Sequence, residues 1–288
     1  MSGPVAVTGR LVDTRPAGAY RWLRIEAPEV ARSAQPGQFV ALAVGGTTSA
    51  HLLRRCFSIH RVDVGAGFVE IVVAAHGPGT VWLVGRTPGE PVEIAGPLGA
   101  AFPMPEAATP SVLVGGGYGS SPLFWLADEL RARGCHVEFV LGAADSDHLF
   151  GVDLAGACAD AVEVTTDDGS SGTQGWVTVV LPEVLKRCHG RIVYACGPMA
   201  MLRSITEQAA EAGAVAQVAV EEAMACGVGI CMTCVLPVRR DDDSTVMVRS
   251  CLDGPVFRGD RVRWDAFADG YCLVPADTVG APQPVGGH

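Results

Sequence analysis

Ser111-Val112-Leu113-Val114-Gly115-Gly116-Gly117-Tyr118-Gly119-Ser120-Ser121-Pro122 decides the fold class of this chain. A short apolar strand runs into bare backbone, and a helical pattern follows from Ser120 to Arg133, with Leu123, Leu126, Ala127 and Leu130 on one face. The alternation continues downstream. Strands are expected at His136–Leu141, Ala161–Thr165, Arg191–Ala195 and Gln217–Val220, and helices at Val177–Cys188 and Pro198–Ala212. Strands alternating with helices predict a doubly wound α/β domain with a parallel sheet over residues 105–220. The turn is not G-x-G-x-x-G. It still sets Gly115, Gly116, Gly117 and Gly119 beside a helix start, where a dinucleotide is expected to lie. Ala195-Cys196-Gly197-Pro198-Met199 is the next such switch, with Cys196 at the carboxyl end of a strand, where doubly wound sheets bind ligands. A small buried core residue is the competing reading of Cys196.

Residues 1–104 read differently. Short strands are expected at Ala6–Asp13, Tyr20–Glu26, Gln38–Val44, Phe57–Val62, Phe68–Ala75 and Pro91–Ala95, punctuated by Pro36-Gly37, Gly65-Ala66-Gly67 and Pro88-Gly89. This pattern predicts a small antiparallel β-barrel with one helix at Thr80–Gly85. Arg55 and Ser58 suit a flavin dinucleotide, the first as a fork for pyrophosphate and the second as a hydroxyl for the isoalloxazine edge. Gly77-Pro78-Gly79-Thr80 opens the helix and would offer an anion site. Taken singly, a surface arginine and an ordinary Gly-Pro turn explain both. Their order on one barrel favours the flavin.

Residues 221–275 hold Cys226-Gly227-Val228-Gly229-Ile230-Cys231-Met232-Thr233-Cys234, followed by Cys251. C-x4-C-x2-C with a distant fourth cysteine is the thiolate spacing of plant-type [2Fe–2S] centres. Gly227 and Gly229 let the backbone wrap the core and aim N–H groups at its sulfurs. Structural zinc is the competing reading, although it usually uses paired C-x2-C knuckles. Arg239-Arg240-Asp241-Asp242-Asp243 reads as a solvated hairpin tip, and 276–288, rich in Pro and Gly, as a disordered tail.

The chain has 288 residues, 49% of them hydrophobic, enough for three small domains with proper cores. A formal charge of −10 argues against nucleic acid and against an anionic membrane surface. No targeting segment or spanning run is visible, so a cytoplasmic protein is expected.

The four motifs in this order, Arg-x-Phe-Ser, Gly-x-Gly-Thr, Gly-Gly-Gly-x-Gly-x-x-Pro-Leu and Cys-Gly-Pro-Met, resemble the ferredoxin–NADP reductase superfamily. Three further stretches narrow the resemblance: Glu221-Glu222-Ala223-Met224-Ala225-Cys226, Cys251-Leu252-Asp253-Gly254-Pro255-Val256-Phe257 and Thr166-Asp167-Asp168-Gly169-Ser170. Over residues 1–258 the chain resembles the electron-transfer subunits of class 1B dihydroorotate dehydrogenases. The resemblance implies FAD at Arg55, Cys56, Phe57, Ser58, Val72, Val73, Ala74, Gly79 and Thr80. It implies NAD(H) over the glycine turn and Gly197-Pro198, with Cys196 near the nicotinamide, and the cluster on Cys226, Cys231, Cys234 and Cys251. It also implies an FMN-containing partner that oxidises dihydroorotate to orotate, the two subunits forming a heterotetramer. His76 and Tyr118 depart from the usual pattern. Gly142-Ala143-Ala144-Asp145 lacks the basic residues that a 2′-phosphate requires, which favours NADH over NADPH. Rival readings are the homologous subunit of a sulfide dehydrogenase or of a bifurcating ferredoxin–NADP oxidoreductase, a paralogue serving another flavoprotein, and a zinc-stabilised scaffold without flavin.

Overall fold

A computed structural model describes residues 3–46, 49–268 and 271–280. Six antiparallel strands, β1 (Val5–Ala17), β2 (Tyr20–Glu26), β3 (Phe39–Leu42), β4 (Arg55–Asp63), β5 (Phe68–Val73) and β6 (Pro91–Leu98), close into a barrel in the order β1-β2-β5-β4-β3-β6. Alternation along each strand fills the interior: Leu11, Leu23, Ile25, Leu42, Ile59, Ile71 and Ile94 are fully buried there. Two short helices lie on the barrel, α1 (Pro28–Ala31), which the sequence pattern does not reveal, and α2 (Pro78–Val84), near the expected position.

The second unit is a seven-stranded sheet. Its strands are β7 (Ser111–Gly116), β8 (Val137–Ala143), β9 (Ala161–Thr166), β10 (Thr173–Gln174), β11 (Ile192–Cys196), β12 (Val215–Ala219) and β15 (Val256–Arg258), in the order β10-β9-β8-β7-β11-β12-β15. Helices α3 (Leu123–Ala132) and α4 (Val152–Cys158) cover the barrel-facing side. Helices α5 (Leu181–Cys188) and α6 (Met199–Glu211) cover the other. Both faces are buried, so the central strands are apolar throughout: Leu113 packs to one side, Val112 and Val114 to the other. Strand order reverses between β7 and β11, which pair in parallel with Cys196 opposite Gly115. The expected doubly wound sheet is present, and its switch point falls at the two motifs that predicted it.

Several boundaries differ from expectation. The helix expected from Ser120 begins at Leu123, because Gly117–Ser120 forms a 3-10 turn and Pro122 is the N-cap. The helix expected over Val177–Cys188 is a 3-10 turn at Val177–Val179 followed by α5 from Leu181. Helix α4 is short, starts after Gly151 in a left-handed conformation, and has no expected counterpart.

The cysteine segment forms the hairpin β13 (Val235–Arg239) and β14 (Thr245–Arg249), with Arg240–Ser244 as its tip, then α7 (Ser250–Asp253). This region is not self-contained. Strand β15 joins the nucleotide-domain sheet antiparallel to β12, and Leu236 and Val262 share the core of α5 and α6. Ala276–Gly280, assigned above to a disordered tail, pack on β14: Val279 N–H donates to Thr245 O at 2.8 Å, and Thr278 is buried. The rest of that expected tail, 281–288, lies outside the described residues. Among the described residues no helix is long and apolar enough to cross a membrane.

Candidate functional site

Strand β4 has two faces with different tasks. Phe57 and Ile59 point toward the barrel core, while Cys56, Ser58 and His60 point outward. Ser58 and Cys56 line a cleft of about 600 Å³ between the barrel, the nucleotide domain and the cysteine segment. From the barrel come Arg55, Phe57, Val72, Ala74, His76 and the Gly77–Thr80 turn. Tyr118, Gly119 and Cys196 come from the switch point, and Glu221–Met224 form a further wall.

Arg55 and the start of α2 meet. A side chain at position 79 would come within 3.2 Å of Arg55 Nε, so glycine lets the guanidinium lie against the first helical turn. Thr80 Oγ1 accepts from Gly77 N–H and donates to Gly77 O, both at 3.0 Å. Its hydroxyl is therefore spent on capping, and the donors left here are the Gly79 and Thr80 N–H groups. A cation beside free helix-start N–H groups fits a pyrophosphate.

The remaining expected ligands divide. Val72 and Ala74 line the cleft, but Val73 does not: its side chain lies in the barrel core. Gly119 lines it, whereas Gly115, Gly116, Gly117, Gly197 and Pro198 do not. These glycines serve packing of the two switch-point turns. A Cβ on Gly119 would fall 2.9 Å from Cys196 O, and one on Gly116 would fall 3.1 Å from Pro198 Cδ. Cys196 is buried, and its thiol is held well above the ordinary range by burial and then by the nearby Glu221 charge. Glu221 opens onto the cleft, yet the surrounding protein desolvates its carboxyl and raises its pKa. Glu221–Met224 and His76 are lining residues that the motif reading missed; the Glu-Glu pair before Cys226 was the available signal.

The four expected cluster cysteines stand in two pairs, Cys226 with Cys231 and Cys234 with Cys251. Backbone N–H groups surround them. Val228 and Ile230 donate to Cys226 Sγ at 3.4 Å, Gly229 to Cys251 Sγ at 3.1 Å, and Thr233 Oγ1 donates to Cys231 Sγ at 3.2 Å. Burial opposes ionisation of Cys226, but the N–H groups of Cys231, Val228 and Ile230 outweigh it and bring the thiol down to about 6. Among the described residues no three metal-binding side chains converge on one ion position. Two thiol pairs fit a binuclear cluster with two thiolates per iron better than one tetrahedral ion. Cys56 packs between these cysteines and the cleft: a Cβ on Gly227 would fall 3.1 Å from its Sγ. Burial, then Cys251, Cys226 and Cys234, push the Cys56 thiol up to about 12.

A barrel and a doubly wound domain sharing a cleft, with four N–H-lined thiols behind it, define a flavin and iron–sulfur oxidoreductase of the ferredoxin–NADP reductase fold. Residues 221–263 match the iron-sulfur cluster binding domain of dihydroorotate dehydrogenase B. The electron transfer subunit of dihydroorotate dehydrogenase B (NAD(+)) from Desulforamulus reducens is 36% identical over 248 residues, covering 85% of this chain and 92% of the relative. That from Geobacillus kaustophilus is 39% identical over 230 residues, covering 79% and 86%. The solved structure of an electron-bifurcating NADH-dependent reduced ferredoxin-NADP oxidoreductase is 30% identical with a TM-score of 0.78, covering 89% of this chain and 90% of that one. A ferredoxin NADP+ reductase from Neisseria gonorrhoeae, 15% identical with a TM-score of 0.58 over 72% of this chain and 92% of that one, shares the fold. The chain belongs to the family of dihydroorotate dehydrogenase B electron transfer subunits.

Proposed function

We propose that this chain moves electrons between NAD(H) and an FMN-containing partner subunit that oxidises dihydroorotate to orotate in pyrimidine biosynthesis. The observation that carries this is the placement of Cys56 between the cleft and the two thiol pairs, which joins a two-electron site to a one-electron site. FAD and a [2Fe–2S] cluster, when bound, supply hydride exchange with the nicotinamide and single-electron passage to the partner.

The chain's own residues bind and orient. Arg55 and the Gly79 and Thr80 N–H groups hold the pyrophosphate; Ser58, Phe57, Cys56, Val72 and Ala74 border the isoalloxazine, with Val73 packed behind them in the barrel core. Gly119 receives the nucleotide, with Gly115–Gly117 and Gly197-Pro198 packed behind it, and Cys196 stands at the nicotinamide. Cys226, Cys231, Cys234 and Cys251 ligate the cluster. Asp145, Asp167 and Asp168 follow the carboxyl ends of β8 and β9 with no Lys or Arg in either turn, and the one basic side chain there, His148, is held by Asp145 at 2.7 Å, which supports NADH over NADPH.

Around the exposed Cys231, the apolar side chains of Val228, Ile230, Met232 and Leu252 stand in solvent, Ile230 at 80% exposure. Such a rim supports a partner face over the cluster, and a heterotetramer of two such subunits with two catalytic ones is the assembly proposed. Ten unpaired cysteines support a reducing, cytoplasmic setting.

An anaerobic absorption spectrum before and after stoichiometric NADH tests the reading. Flavin bands and a cluster shoulder that both bleach support it, and a colourless protein after reconstitution with FAD, iron and sulfide sinks it. The likeness to the bifurcating oxidoreductase favours one second reading, service to a different partner. Reconstitution with the catalytic subunit decides, because only the first reading yields NADH from dihydroorotate.

A further inference from the structure

We propose that Tyr118 is an aromatic platform for the oxidised nicotinamide ring, so that this chain holds NAD+ in preference to a neutral nicotinamide. The inference rests on the reading of the cleft as a nicotinamide site and deepens it.

Tyr118 belongs to the glycine turn, yet its ring packs across the domain boundary onto the barrel. It meets Tyr20 edge-on, with centroids 5.4 Å apart and planes at 61°, and lies tilted against His76 at 6.3 Å. Tyr20 is a fixed base. It is buried, its hydroxyl donates to His148 O at 2.9 Å, and Phe150 packs edge-on against it at 6.2 Å. Tyr118 is seated on that base but remains 37% exposed, on the cleft side. Cys196 and Glu221 are its neighbours in the cleft wall. Gly119 and Cys196 touch, and Tyr118 borders both in the cleft wall, so a nicotinamide held at Cys196 lies beside this ring.

The face of an aromatic ring attracts a cation. The pyridinium of NAD+ carries a positive charge and the dihydropyridine of NADH does not. Arg55 is the only Lys or Arg among the residues lining the cleft, and it stands at α2. Among the described residues no Lys or Arg lines the Tyr118 end, where the neighbouring basic side chain is the His76 imidazole. Mere packing of Tyr118 on Tyr20 would not distinguish the two nicotinamide states.

The test uses the holoprotein with its flavin oxidised. Calorimetry gives Kd for NAD+ and for the redox-inert neutral analogue 1,4,5,6-tetrahydro-NAD, in the wild type, Tyr118→Phe and Tyr118→Leu. Tyr118→Phe keeps both affinities. Tyr118→Leu weakens NAD+ by about five- to thirtyfold, and the neutral analogue by less than about threefold. If Tyr118→Leu melts early, Tyr118→Met carries the same comparison. Equal weakening of both ligands, or none, overturns the platform while leaving the nucleotide site intact. A wild type that binds neither ligand overturns the nucleotide reading, and the platform with it.

Discussion

Cys56 and His60 stand four residues apart on the outward face of β4, and each packs against a different neighbour of the barrel. The Cys56 thiol faces Gly227 and packs with Cys234 and Cys251, while His60 Nδ1 lies 2.6 Å from Ser121 O just before α3. Ser58 lies between them and opens onto the cleft. One strand thus sets the distances among the cysteine segment, the cleft and the α/β domain. The rigidity of a closed barrel makes those distances reproducible.

The paired thiols predict the metal content. Aerobically stable preparations should hold two irons and two sulfides per chain and no zinc, measured by elemental analysis and acid-labile sulfide. Cys251→Ser removes one thiolate of the buried pair and leaves a hydroxyl, a poor iron ligand, facing Gly229 N–H. The cluster absorption and its reduced-state paramagnetic signal should be lost, with flavin bands retained. Equimolar zinc and no sulfide in the wild type would refute the binuclear assignment.

Arg55 should dominate flavin retention. The guanidinium lies against Gly79 at the start of α2, and among the described residues no other Lys or Arg lines the cleft. A hydrogen bond to a charged group is worth about 1.5–3 kcal/mol, so Arg55→Ala should weaken FAD by roughly ten- to a hundredfold. Flavin fluorescence on titration of the apoprotein checks this, and an unchanged Kd would exclude Arg55 from the site.

Gly119 couples packing to binding. A methyl at this position would fall 2.9 Å from the Cys196 carbonyl oxygen and 3.0 Å from Gly197 Cα, both backbone atoms with little room to yield. Gly119→Ala should cost about 1–3 kcal/mol of stability by overpacking. It should also weaken NAD+ by displacing the Cys196 turn. Urea melts and calorimetry read the two effects, and a variant with wild-type values in both would show that the turns part freely.

Much of this was legible in the sequence because period and spacing are local. The β7 run, the helical face of Leu123, Leu126, Ala127 and Leu130, and the cysteine spacing each report a repeat that tertiary packing preserves. Strand β15 was illegible, since three residues carry no period and their strand state depends on β12. The glycine turn was read as bare backbone for a ligand. Gly115 and Gly116 are bare because Ser120 and Met201 occupy the space that a Cβ would need. The role of Glu221–Met224 as a cleft wall likewise comes from three units meeting, which no single segment encodes.

His60 gives the fold a defined acid sensitivity. A carbonyl oxygen only accepts, so Nδ1 carries the proton shared with Ser121 O, and the ring is enclosed by Phe124 and Phe150 at 5.8 and 5.7 Å. Burial lowers its pKa below the ordinary 6.5, outweighing the Ser121 carbonyl and Glu70, which act in the opposite sense. The neutral form is therefore the one the fold accepts. Well above 6.5 the histidine is neutral in both folded and unfolded chains and adds no pH dependence. As pH falls below 6.5 the unfolded chain takes up a proton that the folded chain refuses, so stability declines until the lowered folded value is passed. His60→Gln keeps a donor for Ser121 O and removes the titration. Urea unfolding from about pH 8 to about pH 5 should show a decline in the wild type that is shallower in the variant. Parallel profiles would mean that His60 takes its proton in the folded state as readily as in the unfolded one, and that the barrel and α3 separate at little cost.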